Sequence, residues 1–103
     1  MYGYNGTMRT TSGHRDDVID ILLDASGGLR GAGCLLCVVS TTDDDPDLII
    51  VHEVWEGSER HLASLQLPAV QDAIAKARPM LTGEFTSQET TVAGGLGIDA
   101  GRD

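Results

Sequence analysis

Basic side chains are scarce in this sequence, which has seven Lys and Arg against 16 Asp and Glu in 103 residues, for a formal net charge of −9. A chain this acidic repels the phosphate backbone of nucleic acids and the head groups of anionic lipids. The composition therefore argues against nucleic acid as a partner.

Long apolar runs are also missing. No segment approaches the roughly 20 consecutive apolar residues of a membrane-spanning helix. The first residues, "MYGYNGTMRTT", lack the charged start, apolar block and cleavage site of a secretory leader. We therefore expect a soluble protein of the cytoplasm that has no membrane partner.

Only two cysteines are present, Cys34 and Cys37, in the apolar stretch "GCLLCVVS". This stretch is typical of a buried strand, in which residues three apart point to opposite faces with Cα atoms about 10 Å apart. A disulfide needs Cα atoms within about 7 Å, and no second cysteine pair exists to complete a zinc site. We therefore expect two buried, unreactive thiols and the reducing cytosol as the compartment.

A helix is predicted after the first strand, with Ser12 as its N-cap and with Asp16 and Asp17 in the first turn, where the helix dipole favours anions. Apolar residues then recur at the spacing of one helix face: Val18, Ile21, Leu22 and Ala25. The acidic residues on the opposite face are interpreted as a solvated surface and not as a binding site.

Strands are predicted at residues 3–10, 34–40 and 48–55, and in the threonine-rich segment 83–92. The second and third strands are joined by "TTDDDPD", which predicts a tight turn that includes Pro46.

Two further helices are predicted, one over residues 58–67 with Ser58 as its cap and one that starts at Pro68 and ends at Pro79. The buried stripe of the latter is predicted to be Val70, Ala73, Ile74 and Ala77.

The predicted order β-α-β-β-α-α-β is typical of an α+β, ferredoxin-like domain, with an antiparallel sheet and helices on one face. We assign the domain to residues 1–95 and a flexible C-terminal tail to residues 96–103. Two of the strands, "CLLCVV" and "LIIV", are apolar at successive positions, so both faces of the sheet should be covered. Helices cover one face only, and a second copy of the chain is the expected cover for the other.

The chain resembles the antibiotic biosynthesis monooxygenase family, including its quinol monooxygenase-like members. The resemblance lies in the order and spacing of several segments along nearly the whole chain: "SGHRDDVIDILL", "GAGCLLCVVS", "EVWEG", "HLASLQLPAVQDAIAKARPML" and "TVAGGLG". It implies a dimeric α/β barrel in which two sheets meet face to face. It also implies oxidation of a quinol or polycyclic phenol by molecular oxygen, without metal, flavin or haem.

The period of two along a strand places Val51, Glu53 and Trp55 on one face and His52 and Val54 on the other. Because the family resemblance implies a pocket between sheet and helices, we place Trp55 on the helix side, as a pocket wall whose N–H holds a substrate oxygen. The alternative interpretation is that Trp55 belongs to the core. His52 is expected to face the dimer interface.

His61 is the preferred proton acceptor and Glu53 the second choice. The alternative for His61 is a surface residue at a helix start. Substrate-binding residues are predicted at Val51, Leu65, Arg78 and Ile21. Arg78 could neutralise a phenolate, or it could only answer the dipole of its helix. A metal site built from His52, Glu53 and His61 is not expected, since adjacent strand residues diverge.

Two other functions compete with the enzymatic prediction. One is a non-catalytic dimer that binds a hydrophobic metabolite. The other is haem degradation, for which the family's degraders use an asparagine on the first strand with a tryptophan and a histidine. Asn5, Trp55 and His61 supply these residue types, but the strand period turns Asn5 to the wrong face.

Overall fold

The computed structural model describes residues 1–98. Its strands are β1 (Tyr2–Thr10), β2 (Cys34–Thr42), β3 (Asp45–Trp55) and β4 (Leu81–Thr91). Its α-helices are α1 (Arg15–Ser26), α2 (Ser58–Ser64) and α3 (Pro68–Ala77), with single 3-10 turns at Arg30–Ala32 and Arg78–Met80. None of the helices in this part of the chain has the length and apolar character needed to cross a membrane.

The four strands form one antiparallel sheet in the order β2-β3-β1-β4. The two central strands are thus β1 and β3, and the helices lie on one side of them. This is the ferredoxin-like α+β fold that the sequence predicted. The predicted tail, residues 96–103, falls mainly on residues 99–103, which lie outside the described residues.

Both predicted helix caps are wrong. Thr11 and His14 form a turn, with the His14 N–H donated to the Thr11 carbonyl at 3.2 Å, so that Ser12 lies in this turn and α1 begins only at Arg15. The second helix begins at Ser58 itself, after an extended Gly57, and Ser58 makes no capping hydrogen bond. Before α1, Gly13 has a positive φ of 83°, which lets the chain turn before the helix starts.

The turn between β2 and β3 is shorter than predicted. Thr42 pairs with Asp45, which leaves only Asp43 and Asp44 between the strands, and Pro46 therefore lies inside β3 and not in the turn. Proline has no N–H to donate to a sheet. The pairing of β2 with β3 is accordingly irregular between Ser40 and Thr42, opposite the proline.

A second irregularity corrects the prediction that Cys34 and Cys37 point to opposite faces. Cys34 pairs with Trp55 and Cys37 pairs with Glu53, so three steps along β2 match two steps along β3. The extra residue is a β-bulge at the start of β2. Because of it, both cysteines lie on the same face as Trp55 and Glu53, the face covered by the helices.

The core lies between the helices and this face of the sheet. It is centred on Val18 of α1, Ile49 and Val51 of β3, and Ala77 of α3, of which Val18 and Ile49 have no exposed surface. We call this side of the sheet the helix face and the other side the open face. Burial of a Val or Ile side chain stabilises a fold by about 1.5–3 kcal/mol.

Candidate active site

An open cleft of about 520 Å³ lies between the helix face and the helices α1 and α3. Most of its lining is apolar and comes from the stripes that the helical spacing predicted: Leu22 and Ala25 of α1, and Val70, Ala73, Ile74 and Ala77 of α3. The sheet contributes Met8, Val39, Val51 and Phe85. Such a lining suits a hydrophobic ligand.

The titratable side chains Glu53 and His61 meet at one end of the cleft. The His61 Nε2 atom lies 3.9 Å from the Glu53 Oε1 atom, and their side chains are only 14% and 16% exposed. This distance is too long for a direct hydrogen bond. A hydroxyl group of a ligand that enters between the two atoms can therefore contact both a carboxylate and an imidazole.

Three aromatic rings surround the imidazole of His61. Tyr4 and Tyr2 stack on it with ring centroids at 4.9 and 5.4 Å and interplanar angles of 30°. Trp55 approaches at 5.5 Å with a tilt of 59°. This cage of three rings holds the imidazole in place beside Glu53.

The position of Trp55 differs from its predicted role as a pocket wall. Its side chain is 1% exposed and is not among the residues that line the cleft. Its indole N–H is donated to the Glu53 Oε1 atom at 2.8 Å. Trp55 therefore lies outside the cleft and holds the Glu53 carboxylate through this hydrogen bond. Its N–H already has a partner within the chain.

The cysteine thiols contribute little reactivity to this end of the cleft. Burial, followed by the negative charge of Glu53, raises the pKa of Cys37 to about 11 and also raises the pKa of Cys34. Both cysteines are free, and Cys37 lines the cleft. At neutral pH they are protonated thiols, and a thiol is a much weaker nucleophile than a thiolate.

The predicted substrate-binding residues separate into two groups. Val51, Leu65 and Arg78 line the cleft. Ile21 packs against the core and is not part of this lining. The roles assigned to the first three stay predictions.

His52 lies on the open face, as the strand period indicated, where its Nδ1 atom is 2.8 Å from Oδ1 of Asn5. Asn5 is therefore on the opposite side of the sheet from Trp55 and His61, and the three residue types expected of a haem degrader do not converge. Among residues 1–98, no group of three or more His, Cys, Asp and Glu side chains is arranged to hold a metal ion.

The sequence interpretation missed Tyr2 and Tyr4. Their spacing of two does place them on one face of β1. The pairing of Tyr2 with Trp55 and of Tyr4 with Glu53 then brings them to the polar end of the cleft. This neighbourhood depends on β1 lying beside β3, which local patterns do not reveal.

A smaller side cavity of about 210 Å³ opens beside Tyr4 and shares Met8, Val51 and Glu53 with the cleft. Its floor is Gly6, over which the Tyr4 ring lies: a Cβ atom on Gly6 would be 3.1 Å from Tyr4 Cε1 and 3.4 Å from the Tyr4 hydroxyl. The absence of a side chain at Gly6 thus makes room for the phenol.

The comparisons with known proteins agree with this architecture. The family model described as antibiotic biosynthesis monooxygenase matches residues 1–76. A Chloroflexus aurantiacus J-10-fl protein, provisionally described as an antibiotic biosynthesis monooxygenase, is 46% identical over 95% of this chain and 98% of its own, with a TM-score of 0.86. The comparison with curated proteins found no match.

Two more distant structures share the fold alone. A Deinococcus radiodurans protein with the same provisional description is 23% identical over 96% of this chain and 99% of its own, with a TM-score of 0.78. A conserved protein of unknown function from Bacteroides thetaiotaomicron VPI-5482 is 14% identical over 86% of this chain and 94% of its own, with a TM-score of 0.75.

Proposed function

The chain belongs to the antibiotic biosynthesis monooxygenase family, and we propose on this basis that it is a cofactor-independent monooxygenase of the cytoplasm. In this proposal it oxidises a quinol, or a polycyclic phenol or anthrone, with molecular oxygen. The reaction takes place in the cleft between the sheet and the helices.

The observation that carries the proposal is the facing pair of Glu53 and His61 at the end of an apolar cleft. A phenol that binds in the cleft with its hydroxyl at this pair can transfer its proton to the imidazole, the side chain best suited to proton transfer near neutral pH. The Glu53 carboxylate then stabilises the imidazolium that forms.

Loss of this proton makes the ring electron-rich enough to reduce oxygen directly. For an anthrone, one oxygen atom of O₂ becomes the new carbonyl oxygen, and the other leaves as water with the two hydrogens of the oxidised carbon. Atoms and electrons balance without a further reductant. The protein supplies the base, holds the ring and keeps bulk water away from it.

Oxygen uptake tests this proposal. The protein should consume oxygen faster than the spontaneous rate with a menadiol-like quinol or an anthrone, and His61→Ala should lose about 10²-fold in rate, a typical general-base contribution. His14→Ala is the matched control, because His14 is an exposed histidine that contacts Asp17 outside the cleft, and it should keep full activity.

Two outcomes would contradict the proposal in different ways. If His61→Ala is as active as the wild type, Glu53 or solvent is the base. If the wild type shows no activity on quinols, anthrones and flavonoids, the non-catalytic dimer that binds a hydrophobic metabolite replaces the enzyme.

We also propose that the protein is a homodimer that associates through its open face. Val38 on this face is 43% exposed, and the neighbouring Leu36, Leu48 and Ile50 are only half-buried within one chain. An apolar surface of this kind is stabilised by contact with a second copy. His52 lies exposed at the same surface, whereas Val54 points to this face but is already buried within one chain.

Val38→Lys tests the dimer, because a charge placed in an apolar interface should weaken association by about 10- to 100-fold. The measurement is sedimentation equilibrium at micromolar concentration. Leu23→Lys is the control, since Leu23 is 53% exposed on α1 and lies away from the open face. A wild type that sediments as a folded monomer would refute the dimer.

A further inference from the structure

The hydroxyl groups of Tyr2 and Tyr4 differ in their partners, although both rings stack on His61. The Tyr2 hydroxyl donates a hydrogen bond to the Glu89 Oε1 atom at 2.7 Å. Burial, this bond and the charge of Glu89 raise the pKa of Tyr2 to about 12. Within residues 1–98, the Tyr4 hydroxyl has no hydrogen-bond partner.

The free Tyr4 hydroxyl lies at the side cavity. The ring of Tyr4 extends along β1 over Gly6, and its hydroxyl group comes close to the backbone there. Ser87 pairs with Gly6 across the sheet and lines the same cavity with a second hydroxyl that has no partner in the described residues. A phenol and an alcohol therefore flank a small space that opens into the cleft beside Glu53.

We propose that the side cavity is a subsite for an oxygen atom of the aromatic ligand, held by a hydrogen bond from the Tyr4 hydroxyl. Glu53 lines both the cleft and the side cavity. A ring bound with one oxygen at Glu53 and His61 therefore extends a second oxygen, on the far side of the same ring, toward Tyr4. When a ligand displaces water from this cavity, only a ligand that carries a matching atom restores a hydrogen bond to the Tyr4 hydroxyl.

This subsite narrows the substrate class and rests on the proposed function. It favours aromatic compounds with two oxygen functions, such as quinols and the quinones formed from them, over compounds with one oxygen. Tyr4 acts as a specificity-determining residue that orients the ring, while His61 remains the base. Gly6 is a requirement of the subsite, because any larger side chain would push against the phenol.

The test measures binding, so that it does not depend on catalysis. Menadione carries two carbonyl oxygens and is not consumed by oxygen, and 2-methylnaphthalene has the same carbon skeleton without oxygen. Quenching of Trp55, the only tryptophan, reports the menadione affinity, and calorimetry reports both. Tyr4→Phe should weaken menadione binding by about 3- to 10-fold, the effect of one lost hydrogen bond, and should leave 2-methylnaphthalene binding unchanged.

Tyr2→Phe is the matched control, since it removes one hydroxyl from a neighbouring ring that also stacks on His61. It should leave the affinity for both compounds unchanged. Gly6→Ala is a second variant that keeps the Tyr4 hydroxyl but displaces its ring, because the new Cβ would be 3.1 Å from Tyr4 Cε1 and 3.2 Å from the Thr86 carbonyl oxygen. It should also weaken menadione more than 2-methylnaphthalene.

Three results would overturn the subsite: no menadione binding by the wild type, equal menadione affinity of the wild type and Tyr4→Phe, or equal losses in Tyr4→Phe and Tyr2→Phe. The proposed monooxygenase activity can be refuted independently of the subsite. Selective loss of menadione affinity in Tyr4→Phe, together with no oxygen uptake on any quinol, supports the subsite and refutes the enzyme.

Discussion

The two faces of the sheet are built from the same strands, but they differ in the burial and in the polarity of their side chains. On the helix face, Ile49, Val51, Glu53 and Trp55 of β3 alternate into a core and the polar end of a cleft. On the open face, polar side chains pair with one another, as Arg9 does with Asp45 and Glu84, and Thr7 does with Thr86. A shift of one residue along β3 therefore changes a side chain from one environment to the other.

This difference indicates that the two faces of the sheet have different roles. The helix face contains the buried core where the helices cover it, and it holds the groups proposed for catalysis. The open face combines a polar half on β1 and β4 with an apolar half on β2 and β3, and it is the surface proposed for association. Variants at adjacent positions can test whether this difference in roles is real.

The largest effect is expected from Ile49→Ala compared with Ile50→Ala. Ile49 has no exposed surface on the helix face, whereas its neighbour Ile50 is half-buried on the open face. Ile49→Ala should lower the free energy of unfolding by about 2–5 kcal/mol, because it leaves a cavity in the core. The measurement is urea unfolding followed by circular dichroism.

Ile50→Ala sharpens the same comparison. Its effect should be smaller and should depend on protein concentration, because part of the stabilisation by Ile50 comes from a second copy in the proposed dimer. Equal, concentration-independent losses for the two variants would show that both faces are buried within one chain.

An intermediate effect is expected from Trp55→Phe. This change keeps an aromatic ring but removes the N–H donated to Glu53 at 2.8 Å, and a hydrogen bond to a charged group stabilises a fold by about 1.5–3 kcal/mol. A double-mutant cycle with Glu53→Ala, which removes the acceptor, should give a coupling free energy above about 0.5 kcal/mol. Additive effects of the two changes would mean that Trp55 does not hold Glu53 in place.

The smallest effect concerns acid sensitivity on the open face. Arg9 donates two hydrogen bonds to Asp45, at 3.0 and 2.8 Å, and these hold the pKa of Asp45 below its ordinary value of 3.8. Since the folded-state pKa is the lower one, this stabilisation is present above the unfolded-state pKa and is lost as the pH falls through the folded-state pKa.

Asp45→Asn should therefore lower the urea midpoint at pH 7 and make no difference well below the folded-state pKa. Asp44→Asn, at an exposed position in the adjacent turn, is the control and should have little effect at either pH. A difference between wild type and Asp45→Asn that is the same at both pH values would contradict the assignment of the acid-sensitive group.

Local sequence patterns were sufficient to predict the order of helices and strands and the side of the sheet to which each β3 side chain points. The spacing of Val70, Ala73, Ile74 and Ala77 predicted the cleft-lining side of α3, and the period of two correctly separated His52 from Glu53 and Trp55. These features follow from backbone geometry that repeats along one element. The helix starts were less predictable, because a turn at Gly13 delays the first one.

The cage around His61 could not be predicted in the same way. Tyr2 and Tyr4 are more than 50 residues away from it in sequence, and only the sheet order brings β1 beside β3 and under α2. The partner of the Trp55 N–H was missed for a related reason. A side chain two positions earlier on the same strand was near enough to accept it, but a strand pattern does not report side-chain rotamers.

The bulge at the start of β2 implies an unusual tolerance of a one-residue change in chain length at this point. Before the bulge, an even-numbered residue of β2, Cys34, faces the helices. After the bulge, odd-numbered residues such as Cys37 do so. Deletion of Leu35 would give one alternation throughout β2 and would leave Cys34 and Cys37 two positions apart, both still on the helix face. When relatives are compared with this chain, a one-residue gap at Leu35 therefore signals a β2 strand without the bulge and not a rearranged pocket.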